Sequence, residues 1–417
     1  MRRVLLVNPN QYQHPPVMPL AIEYLAHTLT QEGIEVKVLD LCFSEDIKKD
    51  INSALDCYCP DAVGVSVRNV DSVLYPDTEF FLPLTKEIIS TIREYTAAPI
   101  IIGGSAMSSG AEDILEFLGA DIAIHGPGEK TLANIINHDN LNALKGKVIQ
   151  GETPQSQCPK RVIAVDPEKY ISGGGIAGFE THKGCSAGCT YCIESDTRVV
   201  YRNAVDVVQE IKSLVAQGMT HLHLCDSEFN ENLELSTLFL KELINADISI
   251  KWAVYMRVGH YNEEMFRLLK QSGAYLVTLS VDTLDMSQRY WDSVREMIDL
   301  CKGNGIDVAV DLLAGFPEEQ DGALKKAIDH FREVRPKEVV INTTIRLAKT
   351  MPMTKTILEN DKHSEFLINA NAPTLLEPVF YRRVTGDDIR SLANGDKMFR
   401  VAGESKGVNY QFTREEV

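Results

Sequence analysis

Apolar and polar positions follow two periods along the first 140 residues, one typical of strands and one typical of helices. Val4–Val7 is an uninterrupted apolar run, as expected for a strand buried on both faces of a parallel sheet. Met18, Ile22, Leu25 and Leu29 then recur at helical spacing. Further strand patterns lie at 36–41, 62–67, 99–102 and 122–124, and further helical patterns at 82–95 and from 129 onward. Repeated strand–helix units predict an α/β fold with a doubly wound, Rossmann-like parallel sheet.

The alternation pauses and then resumes. Residues 141–178 are rich in glycine and proline, including Pro154, Pro159 and Gly173–Gly175, and this composition predicts a linker. Strand patterns then fall at 179–183, 221–225, 251–256, 276–281, 307–313 and 337–345, with helical patterns between them. Six such units predict a partial (β/α)6 barrel. The predicted organisation is a Rossmann-like domain at 1–140, the linker at 141–178, the barrel at 179–345 and a small carboxyl-terminal cap at 346–417.

Three of the nine cysteines occupy one short segment, Cys185, Cys189 and Cys192, with the spacing C-x3-C-x2-C. Thiolates suit zinc or iron–sulfur clusters. A structural zinc ion normally needs four protein ligands, whereas a [4Fe–4S] cluster on three thiolates keeps one iron open to a further ligand. The segment follows the strand pattern at 179–183, where a barrel places its active site. A zinc loop with a distant fourth ligand, or three unrelated buried cysteines, are the alternatives.

This motif, with the aromatic Tyr191 before its third cysteine, resembles that of the radical S-adenosylmethionine (SAM) superfamily. The resemblance implies a [4Fe–4S] cluster whose open iron binds the amino and carboxylate groups of SAM. It also implies an electron donor such as flavodoxin or ferredoxin. The remaining cysteines are expected to be ordinary small apolar residues: Cys42, Cys57, Cys59, Cys158, Cys225 and Cys301.

Polar residues at the ends of the barrel strand patterns are the predicted SAM contacts, as the resemblance implies. Besides Tyr191 they are Asp226, Glu228, Asn230, Arg257, Ser280, Asp282 and Gly315. A carboxylate suits the SAM ammonium, so Glu228 is the first choice, with Asp226 beside it. Arg257 suits the SAM carboxylate. Helix capping by Glu228 or Asn230, a rim salt bridge of Arg257 and a plain turn at Gly315 are the alternatives.

The strand ends of the first domain resemble those of the cobalamin-binding domain that precedes the barrel in one branch of this superfamily. The residues concerned are Ser66, Arg68, Asn69, Gly103, Gly104, Gly128 and Glu129. The motif D-x-H-x-x-G, whose histidine coordinates cobalt, is absent, and His14 lies in a proline-rich loop with other neighbours. The segment Arg68-Asn69-Val70-Asp71 is similar to that of enzymes of the tryptophan 2-C-methyltransferase type, in which the arginine lies beneath cobalt. An ion pair of Arg68 with Asp71 or Glu79 is the alternative.

Composition narrows the class of partner. A net charge of −17 argues against non-specific binding to nucleic acid or to an anionic membrane surface. No window approaches the ~20 apolar residues of a membrane-spanning helix, and the first apolar run is too short for a signal peptide. We therefore expect a cytoplasmic protein, in a compartment where thiols stay reduced; the resemblance implies an enzyme with a small-molecule substrate.

The function that these features predict is a cobalamin-dependent radical SAM enzyme, a methyltransferase acting on an unactivated carbon of a small molecule or natural-product precursor. The alternative is a radical SAM dehydratase, epimerase or rearrangement enzyme whose first domain binds no cobalamin. No catalytic residue is assigned from the sequence. Four residues after the barrel are open between substrate contacts and a solvated basic patch: Arg346, Tyr381, Arg382 and Arg383.

Overall fold

The structure is a computed structural model that describes residues 1–152 and 160–404. Two parallel sheets follow each other along the chain, one of six strands and one of seven. Two small antiparallel sheets, one of two strands and one of three, are formed by segments that lie between strands of the second sheet along the chain. The predicted α/β class, with a doubly wound sheet followed by a barrel, is confirmed. None of the helices in the described part of the chain is both long enough and apolar enough to cross a bilayer.

The first sheet has strand order β2-β1-β3-β4-β5-β6, with every pair parallel. Its strands are β1 (Arg3–Asn8), β2 (Glu35–Asp40), β3 (Ala62–Ser66), β4 (Ile100–Gly103), β5 (Ile122–His125) and β6 (Lys147–Gln150). Its helices are α1 (Leu20–Gln31), α2 (Ile47–Tyr58), α3 (Leu82–Tyr95), α4 (Ala111–Leu118) and α5 (Glu129–Ile136). Helices cover both faces, because alternate residues of β1 enter separate cores: Leu5 and Val7 enter one, Val4 and Leu6 the other.

The segment predicted as a linker contains regular structure. β6 lies inside it and completes the first sheet beside β5. α6 (Pro167–Ser172) and β7 (Ala177–Phe179) follow, and β7 already belongs to the second sheet. The predicted break at Pro154 and Pro159, together with Cys158, lies outside the described residues.

The second sheet has strand order β18-β14-β13-β12-β11-β10-β7. After β7 come β8 (His182–Lys183), β9 (Val200–Tyr201), β10 (His221–Leu224), β11 (Lys251–Arg257), β12 (Ala274–Asp282), β13 (Asp307–Leu313) and β14 (Glu338–Asn342). The helices between these strands are α7 (Ala204–Ala216), α8 (Leu233–Asn245), α9 (Glu263–Gln271), α10 (Gln288–Gly303) and α11 (Ala323–Val334). Trp252, Val254 and Met256 of β11 face the main core, so Tyr255 and Arg257 lie on the opposite, inner face.

The segment after the barrel is not only a cap. It contains β15 (Ile345–Arg346), α12 (Pro352–Leu358), β16 (Leu367–Ile368), β17 (Phe380–Tyr381), α13 (Gly386–Ala393) and β18 (Phe399–Val401). β15, β16 and β17 form the small three-stranded sheet. β18 returns to the barrel and pairs in parallel with β14. The barrel sheet therefore gains a seventh strand that the six-unit prediction did not include.

A buried ionic network joins the two halves of the chain. Arg161 lies 2.5 Å from Glu23 of α1 and 3.6 Å from Glu210 of α7. Arg202 lies 2.6 Å from Glu210 and donates a hydrogen bond of 2.6 Å to the hydroxyl of Tyr24. The charged side chains are at most 3% exposed. Because removing one partner of a buried pair leaves an uncompensated charge, this network fixes how the first domain meets the barrel.

Candidate functional site

The three-cysteine loop leaves β8 at Gly184 and returns in β9, and these two strands pair to close its base. Gly184 has φ of +88°, and a Cβ atom there would lie 2.2 Å from the carbonyl oxygen of Arg198. Only glycine fits this position without moving the backbone. The Cys185 N–H donates to Oγ1 of Thr197 at 3.0 Å, and the Thr197 N–H donates to the Cys185 carbonyl at 2.9 Å. The loop is therefore held at its first cysteine.

The three thiols are withdrawn from solvent to different degrees. Cys185 is buried and the other two are half-buried. Burial raises the pKa of all three thiols above the ordinary value. The Glu194 N–H donates to Sγ of Cys192 at 3.4 Å, a bond that suits a thiolate. Within the described residues, no group of three or more His, Cys, Asp or Glu side chains is arranged to hold a metal ion. Three soft donors on one loop match a cluster chemically, and their ligand role stays a prediction.

Asp226 holds the strand that leads into the loop. Its Oδ1 accepts from the Thr181 N–H at 2.7 Å and from the His182 N–H at 3.3 Å, and Oδ2 accepts from the Thr181 hydroxyl. Oδ2 also lies 3.1 Å from Nδ1 of His182. Both oxygens are thus engaged by the protein. The predicted contact with SAM stays a prediction, and the observed contacts support a positioning role.

Glu228, at the end of the β10 segment, faces the barrel interior. Burial raises its pKa to about 7, although a hydrogen bond from Ser280 and the nearby Arg257 oppose that rise. Its Oε2 is buried and has no hydrogen-bond partner within the described residues. No capping bond from its side chain is present. A buried carboxylate oxygen with unused capacity is suited to a donor on a bound cation.

Arg257 is held by its neighbours rather than by a rim salt bridge in solvent. Asn230 accepts from the Arg257 N–H at 3.1 Å and donates to its carbonyl at 2.9 Å. The guanidinium lies 3.4 Å from the buried Glu231, which also accepts from the hydroxyl of Ser186 in the cysteine loop. Nε of Arg257 is buried without a partner in the described structure. Asn230 thus positions Arg257, and Glu231, which the sequence did not single out, links Arg257 to the loop.

Tyr191 and Asp282 meet at the other side of the loop. The Tyr191 hydroxyl donates to Oδ2 of Asp282 at 2.6 Å, and Oδ1 accepts from the Leu284 N–H at 2.9 Å. The ring of Tyr191 packs on Phe316, with 5.0 Å between centroids. Gly315 precedes that phenylalanine, so Tyr191 connects the loop to two further predicted SAM positions, Asp282 at the end of β12 and Gly315 after β13.

A cleft of about 540 Å³ lies between the first domain and the barrel. The first domain contributes the strand-end segments after β1 and β3, including Asn10, Ser66, Arg68 and Asn69. The barrel contributes inner-face residues of β11, β13, β14 and the neighbourhood of β18: Tyr255, Asp311, Asn342 and Arg400. This volume is typical of a small-molecule site. The predicted cobalamin-side residues Ser66, Arg68 and Asn69 therefore share one space with the inner face of the barrel.

Arg68 is exposed in this cleft and makes neither an ion pair nor a side-chain hydrogen bond among the described residues. Asp71 pairs instead with Arg346, at 2.7 Å. The alternative of an Arg68–Asp71 ion pair is therefore not what the structure contains. Burial, and next the charge of Arg68, lower the pKa of His223 on β10 to about 4, so the guanidinium lies close to the barrel.

The glycines and Glu129 serve the framework. Gly104 has φ of +110°, and a Cβ atom there would lie 2.5 Å from the carbonyl oxygen of Val67. Gly103 and Gly128 have ordinary contacts at this position. Glu129 lies 2.8 Å from Nζ of Lys183. Burial alone would raise the pKa of Glu129, but Lys183 holds it below the ordinary value. Contacts of these residues with cobalamin stay predictions.

Two residues of the cleft were missed by the sequence reasoning. The Tyr255 hydroxyl donates to Oδ2 of Asp311 at 3.0 Å. Burial raises the pKa of Asp311 to about 6. Both lie on inner faces, where strand alternation could have found them. Of the cysteines outside the loop, Cys57, Cys59 and Cys225 are exposed, whereas Cys42 and Cys301 are buried.

Comparison with known families matches two segments of the chain. Residues 179–331 match the radical SAM superfamily, and residues 11–136 match the B12 binding domain. Together with the fold, these matches define the class: a radical SAM domain that follows a B12-binding domain. The predicted class, whose cofactors are a [4Fe–4S] cluster, SAM and cobalamin, is confirmed. The B12 match argues against the alternative in which the first domain binds no cobalamin.

Methyltransferases are among the individual proteins that the chain resembles. It is 26% identical to the tryptophan 2-C-methyltransferase of Streptomyces laurentii, over 85% of this chain and 74% of that protein. The structure of TsrM from Kitasatospora setae with cobalamin and a [4Fe–4S] cluster superposes with a TM-score of 0.85 at 26% identity, covering 96% of this chain and 92% of that one. TsrM with tryptophan substrate and a SAM analogue gives a TM-score of 0.86 and covers 99% and 94%.

Proposed function

We propose that this protein transfers a methyl group from SAM, by way of cobalamin, to a carbon atom of a small aromatic substrate, with tryptophan as the first candidate. One observation carries the proposal. Arg68 and Asn69 of the first domain line one cleft of about 540 Å³ with the inner-face barrel residues Tyr255 and Asp311. Glu228 interacts electrostatically both with the cysteines and with Asp311 in the cleft.

In this proposal Cys185, Cys189 and Cys192 hold the cluster. Glu228 accepts from the SAM ammonium through its unpartnered oxygen, and Arg257 pairs with the SAM carboxylate. Asp226 and Asn230 would be positioning residues. The polar atoms of Asp226 bind the strand before the loop, and those of Asn230 bind the Arg257 backbone. A cofactor that leaves one iron open needs such groups beside it, since the protein supplies binding and orientation.

Arg68 is the proposed neighbour of the lower cobalamin face. When bound, cobalamin would accept a methyl group from SAM and pass it to the substrate. The guanidinium of Arg68 is always charged and offers no electron pair, so beside the cobalamin it would not act as a metal ligand.

The comparisons support tryptophan as the first substrate to test, since two of the relatives are named for it. Tyr255 and Asp311 present a hydroxyl and a carboxylate to the cleft, and both can bind polar groups of such a molecule. We also propose a cytoplasmic location and an electron donor such as flavodoxin or ferredoxin.

The test uses the full chain, purified anaerobically with its cluster reconstituted. Hydroxocobalamin is titrated into wild type, Arg68→Leu and the matched control Arg267→Leu, whose arginine is exposed on α9. Wild type and control should bind one cobalamin per chain. With trideuteromethyl-SAM, tryptophan should gain 17 mass units, about one labelled methyl in place of hydrogen. Absence of cobalamin binding, while SAM is still cleaved to 5′-deoxyadenosine, would refute the methyltransferase proposal.

A further inference from the structure

Asp71, the last residue of the Arg68–Asp71 segment, is buried and fully engaged. Its side chain is 2% exposed. Oδ2 accepts from Nε of Arg346 at 2.7 Å, and Oδ1 accepts from the Val73 N–H at 2.8 Å. The partner comes from β15, immediately after the barrel, 275 residues further along the chain. A loop of the first domain is thus joined to the carboxyl-terminal segment by a buried ion pair.

Arg346 is itself fixed by backbone carbonyls. It donates to Leu375 at 3.1 Å, to Leu376 at 2.9 Å and to the carbonyl of Leu347. The guanidinium is planar and its donors form a rigid fork, so these bonds determine its orientation as well as its position. The earlier alternative of a solvated basic patch does not hold for Arg346, whose side chain is 12% exposed.

The backbone that carries Arg68 is anchored on both sides. The Val67 N–H donates to the Gly103 carbonyl at 2.7 Å, and the Ser105 hydroxyl donates to the Arg68 carbonyl at 2.6 Å. Asp71 closes the segment at its other end. The backbone is therefore held in place while the Arg68 side chain extends into the cleft without a partner among the described residues.

We infer that Arg346 is a positioning residue for Arg68: it occupies the Asp71 carboxylate, which would otherwise capture the Arg68 guanidinium three residues away. The inference rests on the proposed function of Arg68. A buried carboxylate without a cation is strongly disfavoured. Arg68 is on the same short loop, so it is the nearest replacement along the chain. If it turned toward Asp71 it would leave the cleft and the lower cobalamin face.

The inference predicts an asymmetry that an ordinary structural ion pair would not show. Arg346→Met leaves Asp71 to recruit Arg68, so hydroxocobalamin should bind about tenfold or more weakly, and its absorption spectrum should shift toward that of Arg68→Leu. Asp71→Asn removes the carboxylate, so Arg68 stays in the cleft and binding should match wild type. The double variant Arg346→Met/Asp71→Asn should regain wild-type affinity and spectrum.

The matched control is Lys349→Met. Lys349 lies 2.9 Å from Asp113 of α4. It also joins the first domain to the carboxyl-terminal segment, but through an exposed pair. It should bind cobalamin as wild type does. Thermal unfolding and iron content are measured for every variant. If Arg346→Met does not fold, the double variant carries the test alone, with wild-type affinity and spectrum as the supporting result.

Two outcomes overturn the inference. Equal losses in Asp71→Asn and Arg346→Met would mean that the pair only stabilises the loop. An effect of Arg346→Met that is unchanged in an Arg68→Leu background would mean that Arg346 does not act through Arg68. Failure of the proposed function is distinguishable, because wild type itself would then bind no cobalamin and the inference would fail with it.

Discussion

If Glu228 accepts from the SAM ammonium as proposed, its buried carboxyl should make SAM affinity depend on pH. Burial raises its pKa from 4.5 to about 7. A tenfold change in proton affinity corresponds to about 1.4 kcal/mol, so the folded protein prefers the protonated form by about 3 kcal/mol relative to the unfolded chain. An ammonium group placed against Oε2 favours the ionised form. Binding of SAM below pH 7 must therefore release a proton.

The expected result is a two-limbed profile of SAM affinity. Between about pH 5.5 and 7 the dissociation constant should fall about tenfold per pH unit, because Glu228 must ionise. Above about pH 8 affinity should fall again as the α-amino group of SAM loses its proton. Isothermal titration of the cluster-loaded protein with SAM, in buffers of several ionisation enthalpies, measures both the constant and the released protons.

Glu228→Gln is the decisive variant. It should lose the acidic limb, keep the alkaline one and bind SAM more weakly at pH 7.5. The same variant should be more stable than wild type at pH 8 without SAM. The folded pKa lies above the unfolded one, so the folded state binds more protons, and stability falls as pH rises from about 4.5 to 7. An acidic limb that persists in Glu228→Gln would refute the reasoning.

Three further predictions concern the three-cysteine loop and the buried ionic network between the first domain and the barrel. Gly184→Ala should lower iron content after reconstitution, because its Cβ would meet the Arg198 carbonyl, whereas Gly188→Ala in the same loop has open space and should load normally. Asp226→Asn should lower iron content and lower stability by about 1–3 kcal/mol, because the amide NH2 that replaces one carboxylate oxygen cannot accept from the buried donors of the loop strand. Normal iron loading would contradict this. Arg202→Met should lower the free energy of unfolding by about 3–5 kcal/mol, as measured with denaturant. A loss below about 1 kcal/mol would show that the buried network does not hold the first domain to the barrel.

Strand positions in both sheets could be predicted because fully buried parallel strands have nearly continuous apolar sequences. β6 and β18 could not, for reasons visible in their composition. Lys147–Gln150 is exposed at both ends, and Phe399–Val401 has only three residues. Each is an edge strand whose apolar content is too low to stand out from a loop. Their existence depends on partners distant in sequence.

The sequence located several residues of the candidate site but could not predict what each side chain contacts. Strand ends identified Asp226 and Asn230, yet sequence alone cannot say which backbone groups will use a side chain's oxygens. In the fold both are engaged by neighbouring backbone. Asp311 and Tyr255 were missed because they lie before the last residue of their strands, on the inner face. The position of a strand end therefore does not identify them. Arg346 could not be matched to Asp71 without the tertiary structure.

The pairing of β18 with β14 also sets an order of events during synthesis. Ribosomes release the amino-terminal domain first, and it can fold as a unit. The barrel sheet ends at β14 until residues 399–401 have emerged, and its exposed edge is a template for pairing with other chains. Residues 400–403 also line the cleft. A nascent chain therefore has no complete cleft until translation has passed residue 403, so cofactor loading follows synthesis of almost all the described chain.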